Sequence, residues 1–214
     1  LQQRKMKIAI IGTGNVGTAL GSNWKKSNHE IIYGSRSPQD EKNIELEKFA
    51  QVLTLSQAAM LGDVIVLATP WQSTEEAINE MGSTLDAKIV IDATNPLKPD
   101  LSGLLLYGDN SGGEQIAKWA SKSKVVKALN SAFAKVMEQP EINGVKSMML
   151  IAGDDLSVLH TVAELVDDLG FQSQKMNGIR NSRLLEMVGL TLITLGYKEG
   201  LGYEIGLSIL KNKK

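Results

Sequence analysis

The segment Lys7-Ile8-Ala9-Ile10-Ile11 runs directly into Gly12-Thr13-Gly14-Asn15-Val16-Gly17, and this junction constrains the fold more than any other stretch of the chain. A short run that is apolar at almost every position suits a strand buried on both faces, as in a parallel sheet. Residues Asn15 to Ser27 carry Val16, Leu20 and Trp24 four apart, which suits an amphipathic helix. Between strand and helix, the G-x-G-x-x-G pattern has a mechanical meaning. Gly12 permits a tight turn, Gly14 lets the backbone approach a pyrophosphate, and Gly17 lets helix and strand pack closely. Thr13, Asn15 and Val16 complete a turn whose amides, at a helix N-terminus, face phosphate oxygens. The string alone is common; the strand before it and the helix after it are what imply a dinucleotide.

The end of the second strand discriminates between dinucleotides. Selection for NAD would place a carboxylate there, about 20 residues on, to hold the ribose 2′-hydroxyl. This chain instead has Gly34-Ser35-Arg36-Ser37 after Ile31-Ile32-Tyr33, and Glu30 lies at the wrong end of the strand. A guanidinium fork with flanking hydroxyls suits a 2′-phosphate. NADP is therefore the expected cofactor, with Ser35, Arg36 and Ser37 as its selectors and Lys42 adding charge from the following turn.

Alternation of strand-length and helix-length segments continues to the end of the chain. Val64 to Ala68, Lys88 to Asp92, Val125 to Leu129, Ser147 to Ala152 and Phe171 to Lys175 read as strands. Helices are expected at Ile44 to Ala50, from a Ser56 cap to Asp63, through about Met81, at Glu114 to Ser121, from Asp154 to about Leu169, and from Asn181 onward, kinked near Gly196 to Gly202. This is the pattern of an α/β fold, a Rossmann-type doubly wound and mostly parallel sheet over residues 1–178, with a C-terminal helical segment over 179–214. Ligands of such sheets bind at the carboxyl ends of the strands. The post-strand turns are therefore the place to seek function.

Composition removes several classes of chemistry. There is no cysteine, and the histidines are His29 and His160, so thiol nucleophiles and metal centres are not expected. Lys+Arg total 23 against 24 Asp+Glu, which gives no global attraction to nucleic acid or anionic lipid. Neither a signal core nor a membrane span is legible, because Ile8 to Ile11 is short and Leu184 to Leu195 contains Glu186 and Gly189. A cytoplasmic protein with a polar lead-in, Leu1 to Lys5, is expected.

Taken together, Gly12 to Gly17, Gly34-Ser35-Arg36, Thr69-Pro70-Trp71, Val125-Val126 with Ala128-Leu129, and Asn181-Ser182-Arg183-Leu184 resemble the NADP-binding oxidoreductase family typified by the enzyme that exchanges hydride between NADP and the deazaflavin coenzyme F420. The likeness runs over nearly the whole chain. It implies that Ser35 and Arg36 hold the 2′-phosphate and that Thr69, Pro70 and Trp71 border the cofactor. It further implies that the turn after Leu129, with Ala128 and Asn130, lies near the nicotinamide. At Asp92 to Pro96 and at Asn130-Ser131-Ala132-Phe133 the chain is more similar to bacterial relatives of unknown substrate and to the reductase domain of transmembrane metalloreductases, which pass hydride from NADPH to a flavin. The implied acceptor is thus F420 or a flavin such as FAD or FMN.

Hydride transfer between stacked rings needs orientation and a dry gap more than an acid or base. No catalytic side chain is therefore expected. His29 precedes a strand, His160 lies within a helix, and Lys127 and Lys175 are weakly placed candidates. Asn95 and Asn130 each follow a strand and are candidate cofactor contacts. Ser131, Arg183 and Leu184 are candidates for the second cofactor or substrate, although Arg183 also has a structural explanation in a pair with Glu186 one turn on. Met148, Met149 and Met187 read as core filler. An apolar C-terminal helix predicts a homodimer. The rival readings are an NADPH-dependent imine or hydroxy-acid reductase, and a non-catalytic NADP(H)-sensing module.

Overall fold

Strands β1 (Lys7–Ile11), β2 (Glu30–Gly34), β3 (Gln51–Leu53), β4 (Val64–Leu67), β5 (Ile89–Asp92) and β6 (Lys124–Lys127) form a parallel sheet in the order β3-β2-β1-β4-β5-β6. After β7 (Glu141–Ile142) and β8 (Val145–Lys146), which make a separate small hairpin, β9 (Met148–Gly153) joins β6 in antiparallel register. Then β10 (Gln172–Asn177) closes the edge parallel to β9, which gives an eight-stranded, mostly parallel sheet. This computed structural model describes residues 5–210 and Asn212. The lead-in over residues 1–4 lies outside the described residues.

Helices cover both faces: α1 (Asn15–Lys26), α2 (Ile44–Glu47), α3 (Leu55–Leu61), α4 (Thr74–Met81), α5 (Gly112–Trp119), α6 (Ala134–Glu138), α7 (Leu156–Asp168) and α8 (Ser182–Ile193). The period-two alternation of β1 sorts its side chains accordingly. Ile8 and Ile10 enter one core with Trp24 and Val162, whereas Ala9 and Ile11 enter the other with Ala58 and Ile116. Trp24 is fully buried, and its indole N–H donates to the Leu165 carbonyl at 2.8 Å. Nearby, His29 lies between the Met6 amide, 3.3 Å from Nδ1, and Asp168 Oδ2, 3.0 Å from Nε2. His29 therefore fastens the amino edge of the sheet to α7, and His160 is an exposed partner of Glu164. Neither lines the ligand edge.

Local departures from the expected elements have local causes. The cap of α3 is Thr54, not Ser56: Thr54 and Gln57 make a reciprocal capping box, while the Ser56 hydroxyl donates to the Glu80 carbonyl at 2.8 Å. The cap of α7 is Asp155, which accepts from the amides of Ser157 and Val158; Asp154 instead accepts from the Ile179 amide. The helix after Asn43 ends at Glu47, and β3 follows as an edge strand too short to carry a periodic signal. The C-terminal segment is helical only to Ile193, followed by a π-helical turn at Thr194–Lys198, and residues 199–210 have no regular structure. Gly196, within that turn, permits a close approach: a Cβ there would lie 2.7 Å from the Phe133 ring and 2.8 Å from the Gly202 carbonyl. Among the described residues no helix is long and apolar enough to cross a membrane. Met148 and Met149 are core, as expected, but Met187 is not; it lies 49% exposed on α8.

Trp24 is the test of this packing. Trp24→Ala is expected to lower unfolding free energy by about 3–5 kcal/mol. Trp24→Phe, which keeps most of the volume but leaves the Leu165 carbonyl unpaired, should lose about 1–3 kcal/mol. Urea unfolding followed by circular dichroism measures both.

Candidate functional site

Two adjoining clefts lie at the carboxyl ends of the parallel strands. The first, about 480 Å³, is lined by Gly12, Thr13 and Gly14 after β1, by Gly34 to Ser37 with Lys42 after β2, and by Ala68, Thr69, Pro70 and Ser73 after β4. Its floor depends on two close approaches. Gly12 has φ +121°, and a Cβ there would meet the Ala68 carbonyl oxygen at 2.5 Å. A Cβ on Gly17 would lie 2.2 Å from the Gly12 carbonyl oxygen. Gly14, at the start of α1, has φ −82° and nothing within 4 Å of its Cβ position. The turn is therefore tight beneath and open above, at the helix end where amides are unpaired.

Charge in this cleft is positive. Arg36 is exposed and makes no ion pair among the described residues, while Lys42 pairs with Asp40 at 3.1 Å. Ser35 is nearly buried, and its hydroxyl accepts from the Ser37 amide at 3.2 Å, which shapes the turn that carries Arg36. Glu30 sits at the opposite end of β2, against Lys7.

The second cleft, about 290 Å³, is lined by Asn15 and Val16 from α1, by Asn95, Leu97 and Leu101 after β5, by Leu129 to Ala134 after β6, and by Gly189, Leu192, Ile193 and Tyr197. Among the described residues no Asp, Glu, Lys, Arg or His lines it. Leu129 adopts φ +64°, a conformation unusual for a branched side chain, as the chain leaves β6. Asn95 and Asn130 hold each other: the Asn95 amide donates to the Asn130 carbonyl at 2.8 Å, and the Asn130 amide donates to Asn95 Oδ1 at 3.0 Å. Asn130 also donates to the Leu185 carbonyl at 2.9 Å, which ties the turn to α8, while its own Oδ1 is buried without a partner.

The predicted site residues separate into these clefts with clear exceptions. Gly12, Thr13, Gly14, Ser35, Arg36, Ser37, Lys42, Thr69 and Pro70 line the first; Asn15, Val16, Asn95, Asn130 and Ser131 line the second. Gly17 lies beneath the turn. Trp71 lines neither and stacks on Trp119 with centroids 5.4 Å apart, while Ala128 is sealed in the core. Arg183 and Leu184 are in neither cleft. Arg183 does not pair with Glu186; it makes two bonds to Glu114, at 2.8 and 2.7 Å, and also reaches the Asp109 carbonyl. That guanidinium holds the Glu114 carboxyl below the usual carboxylate range. Leu184 is 55% exposed. Phe133 belongs to the Asn130-to-Phe133 turn already singled out in the sequence, whereas nothing local distinguishes Leu97, Leu101 and Tyr197 from loop or core residues.

Glu186 belongs to a buried cluster that sequence reading missed. Lys127, Asp92 and Glu186 have no exposed side-chain surface. The ammonium of Lys127 lies 2.8 Å from Asp92 Oδ2, 3.0 Å from Glu186 Oε1 and 2.6 Å from the Thr94 carbonyl. An ammonium has three N–H donors, and here each has an oxygen. Both Glu186 oxygens accept from the first amides of α5, those of Gly112 and Gly113, at 3.0 Å. Burial opposes the Lys127 charge, but the attraction of Asp92 and Glu186 outweighs it and holds the ammonium above its usual range. Lys127 is thus a structural cation, held charged by the two carboxylates. Lys175, exposed on β10, lines neither cleft.

Comparison with known proteins places the chain in a family. Residues 7–96 match the family model described as NADP oxidoreductase, coenzyme F420-dependent. The chain is 30% identical over 222 residues to the F420-dependent NADP reductase of Methanocaldococcus jannaschii, covering 94% of this chain and 98% of that one. It is 27% identical over 187 residues to metalloreductase STEAP3 of Rattus norvegicus, of which it spans only 37%. Among solved structures, one described as a candidate F420-dependent NADP-reductase of Arthrobacter sp. FB24 superposes with a TM-score of 0.88 at 27% identity, covering 96% of this chain and all of that one. A reductive aminase of Aspergillus terreus shares the fold at 17% identity with a TM-score of 0.69.

Removing the central cation should be felt in folding first. Lys127→Met leaves two buried carboxylates unneutralised and is expected to cost about 3–5 kcal/mol of stability. Because the folded state raises the Lys127 pKa, its contribution is complete below the ordinary lysine value and is lost as pH rises through the folded value. Urea unfolding at neutral and at strongly alkaline pH should therefore show the wild-type advantage over Lys127→Met shrinking in the alkaline series.

Proposed function

This chain belongs to the F420-dependent NADP reductase family of NADP-dependent oxidoreductases, and on that premise we propose that it passes hydride between NADP(H) in the first cleft and a flavin-like acceptor, F420 or a flavin, in the second. The reading is supported above all by the junction of the clefts: a phosphate-accepting turn and an uncharged, ring-sized pocket meet at consecutive residues, Gly14 and Asn15. Space above Gly14 suits a pyrophosphate, since a side chain there would fill it. Arg36, without an ion-pair partner and with no carboxylate at its strand end, suits a 2′-phosphate. Asn130 Oδ1, a buried acceptor without a donor, suits an amide N–H such as a carboxamide carries.

In this reading Gly12, Thr13 and Gly14 hold the pyrophosphate, while Ser35, Arg36, Ser37 and Lys42 hold the adenosine phosphate end. Thr69 and Pro70 border the cofactor. Asn15, Val16, Asn95, Asn130 and Ser131 shape the space around the reacting rings. Bound there, NADPH supplies a hydride; the chain supplies position and the exclusion of water. Among the described residues no ionised group lines the cleft to act as acid or base, which favours ring-to-ring transfer over a hydroxy-acid reductase. The exposed Leu184 and Met187 on α8 support a homodimer that would cover this face.

Two variants test the cofactor assignment. NADPH should bind at least about tenfold more tightly than NADH, because a charge-assisted contact contributes roughly 1.5–3 kcal/mol, and Arg36→Glu should remove that preference. Equal wild-type affinities in a calorimetric titration would refute it. Gly14→Val has room and an ordinary φ, so it should keep the wild-type circular dichroism yet lose NADPH binding. Retained affinity would make the turn purely structural.

A further inference from the structure

Phe133, Tyr197 and Tyr203 form an aromatic cluster at the edge of the second cleft. Phe133 meets Tyr197 with ring centroids 5.8 Å apart and Tyr203 at 5.5 Å, and the two tyrosines lie 4.9 Å apart. The chain is built to hold them there. Gly196 allows the π-helical turn to press against the Phe133 ring, and the amides of Leu201 and Gly202 donate back to the carbonyls of Leu195 and Gly196 at 3.1 and 3.2 Å. That return brings Tyr203 beside Tyr197. Despite this support, Tyr197 and Tyr203 stay 54% and 49% exposed. About half of each tyrosine therefore stays open to a ligand.

Phe133 and Tyr197 face the cleft together with Val16, Leu129, Ala132 and Leu192, and the polar lining consists of neutral amides and hydroxyls. A charged group taken into such a lining would be left without a counter-ion, at high cost. A flat ring gains dispersion and quadrupole contacts against an aromatic side chain. With a volume of about 290 Å³, the cleft is at the small end of ligand pockets and takes rings, not tails.

We propose that Tyr197, braced by Phe133 and Tyr203, is a substrate-contact residue that selects a neutral planar heteroaromatic ring as the reacting end of the acceptor, with any charged tail left outside. The proposal rests on the second cleft being the acceptor site. Its consequence is that recognition resides in the ring, so acceptors that share a ring but differ in tail charge are nearly equivalent.

Binding and turnover together test it. Riboflavin and FMN carry the same ring, without and with a phosphate, and are titrated calorimetrically into the NADP⁺-loaded protein. Their dissociation constants should agree within about threefold, and Tyr197→Ala should weaken riboflavin by about tenfold or more. Tyr197→Phe should restore binding and NADPH oxidation to within about twofold, and NADP⁺ affinity should stay within about twofold throughout. FMN binding more than about tenfold tighter than riboflavin would overturn the proposal, as would unchanged binding in Tyr197→Ala or wild-type protein that binds neither probe. Failure of Tyr197→Phe to rescue would assign the role to the hydroxyl, as in protonation of an imine, and would equally overturn it. If ring binding follows the expected pattern but riboflavin, FMN and F420 all fail to oxidise NADPH, the wall stands and the hydride-transfer reading falls. Full acceptor turnover with Tyr197→Ala would overturn the wall and leave the hydride-transfer reading standing.

Discussion

A single ammonium, that of Lys127, fixes the part of the molecule in which chemistry is proposed. Its three hydrogen-bond donors are met by Asp92 at the end of β5, by the Thr94 carbonyl in the turn beyond, and by Glu186 on α8. Glu186 in turn accepts from the first amides of α5. The desolvation of three charges costs several kcal/mol per ion, so the cluster is tolerable only because every partner is in place. The excess negative charge of the two carboxylates is met by the positive end of the α5 dipole. With that, the turns after β5 and β6 and the inner face of α8 have one mutual arrangement, and these elements are the walls of the second cleft.

The first cleft depends on a different constraint, which is steric. Gly12 and Gly17 put backbone against backbone at distances no Cβ tolerates, so the turn above them is held without side chains. What remains open is the space over Gly14. An ion cluster supports one cleft and close backbone packing the other, on a shared sheet edge. A reaction that proceeds by bringing two rings into register needs this kind of support more than it needs a titratable residue. The absence of ionised side chains from the second lining and the neutralisation of Lys127 beneath it belong to the same design.

Several polar residues that read as candidate contacts turn out to act on one another. Asn95 and Asn130 are spent mainly on a reciprocal pair that joins two post-strand turns, and Asn130 extends the tie to Leu185. Arg183 holds the first turn of α5 through Glu114 and the loop before it through the Asp109 carbonyl. Trp71 stacks on Trp119 behind the first cleft. Each therefore shapes the site from behind or beside it, and only Asn130 keeps an acceptor in reserve.

What the sequence by itself determined is whatever is written over a few consecutive residues. The buried strands, the glycine turn, the α1 helix and the basic Ser35-Arg36-Ser37 turn were legible because backbone conformation and side-chain period are local properties. Of these, Gly12 to Gly14 and Ser35 to Ser37 line the first cleft. Short elements failed for the converse reason: β3 is too brief to show a period, and the choice of Thr54 over Ser56 as a cap depended on which hydroxyl was free of the Glu80 carbonyl. Only the tertiary structure decided the ion cluster. Lys127 and Asp92 lie 35 residues apart, and Glu186 reaches amides 74 residues away. It likewise decided that Tyr197 and Tyr203 would face Phe133. Coulomb and ring contacts act through space and leave no period in the chain, so nothing local to Glu186 or Tyr197 marks the partner each would meet.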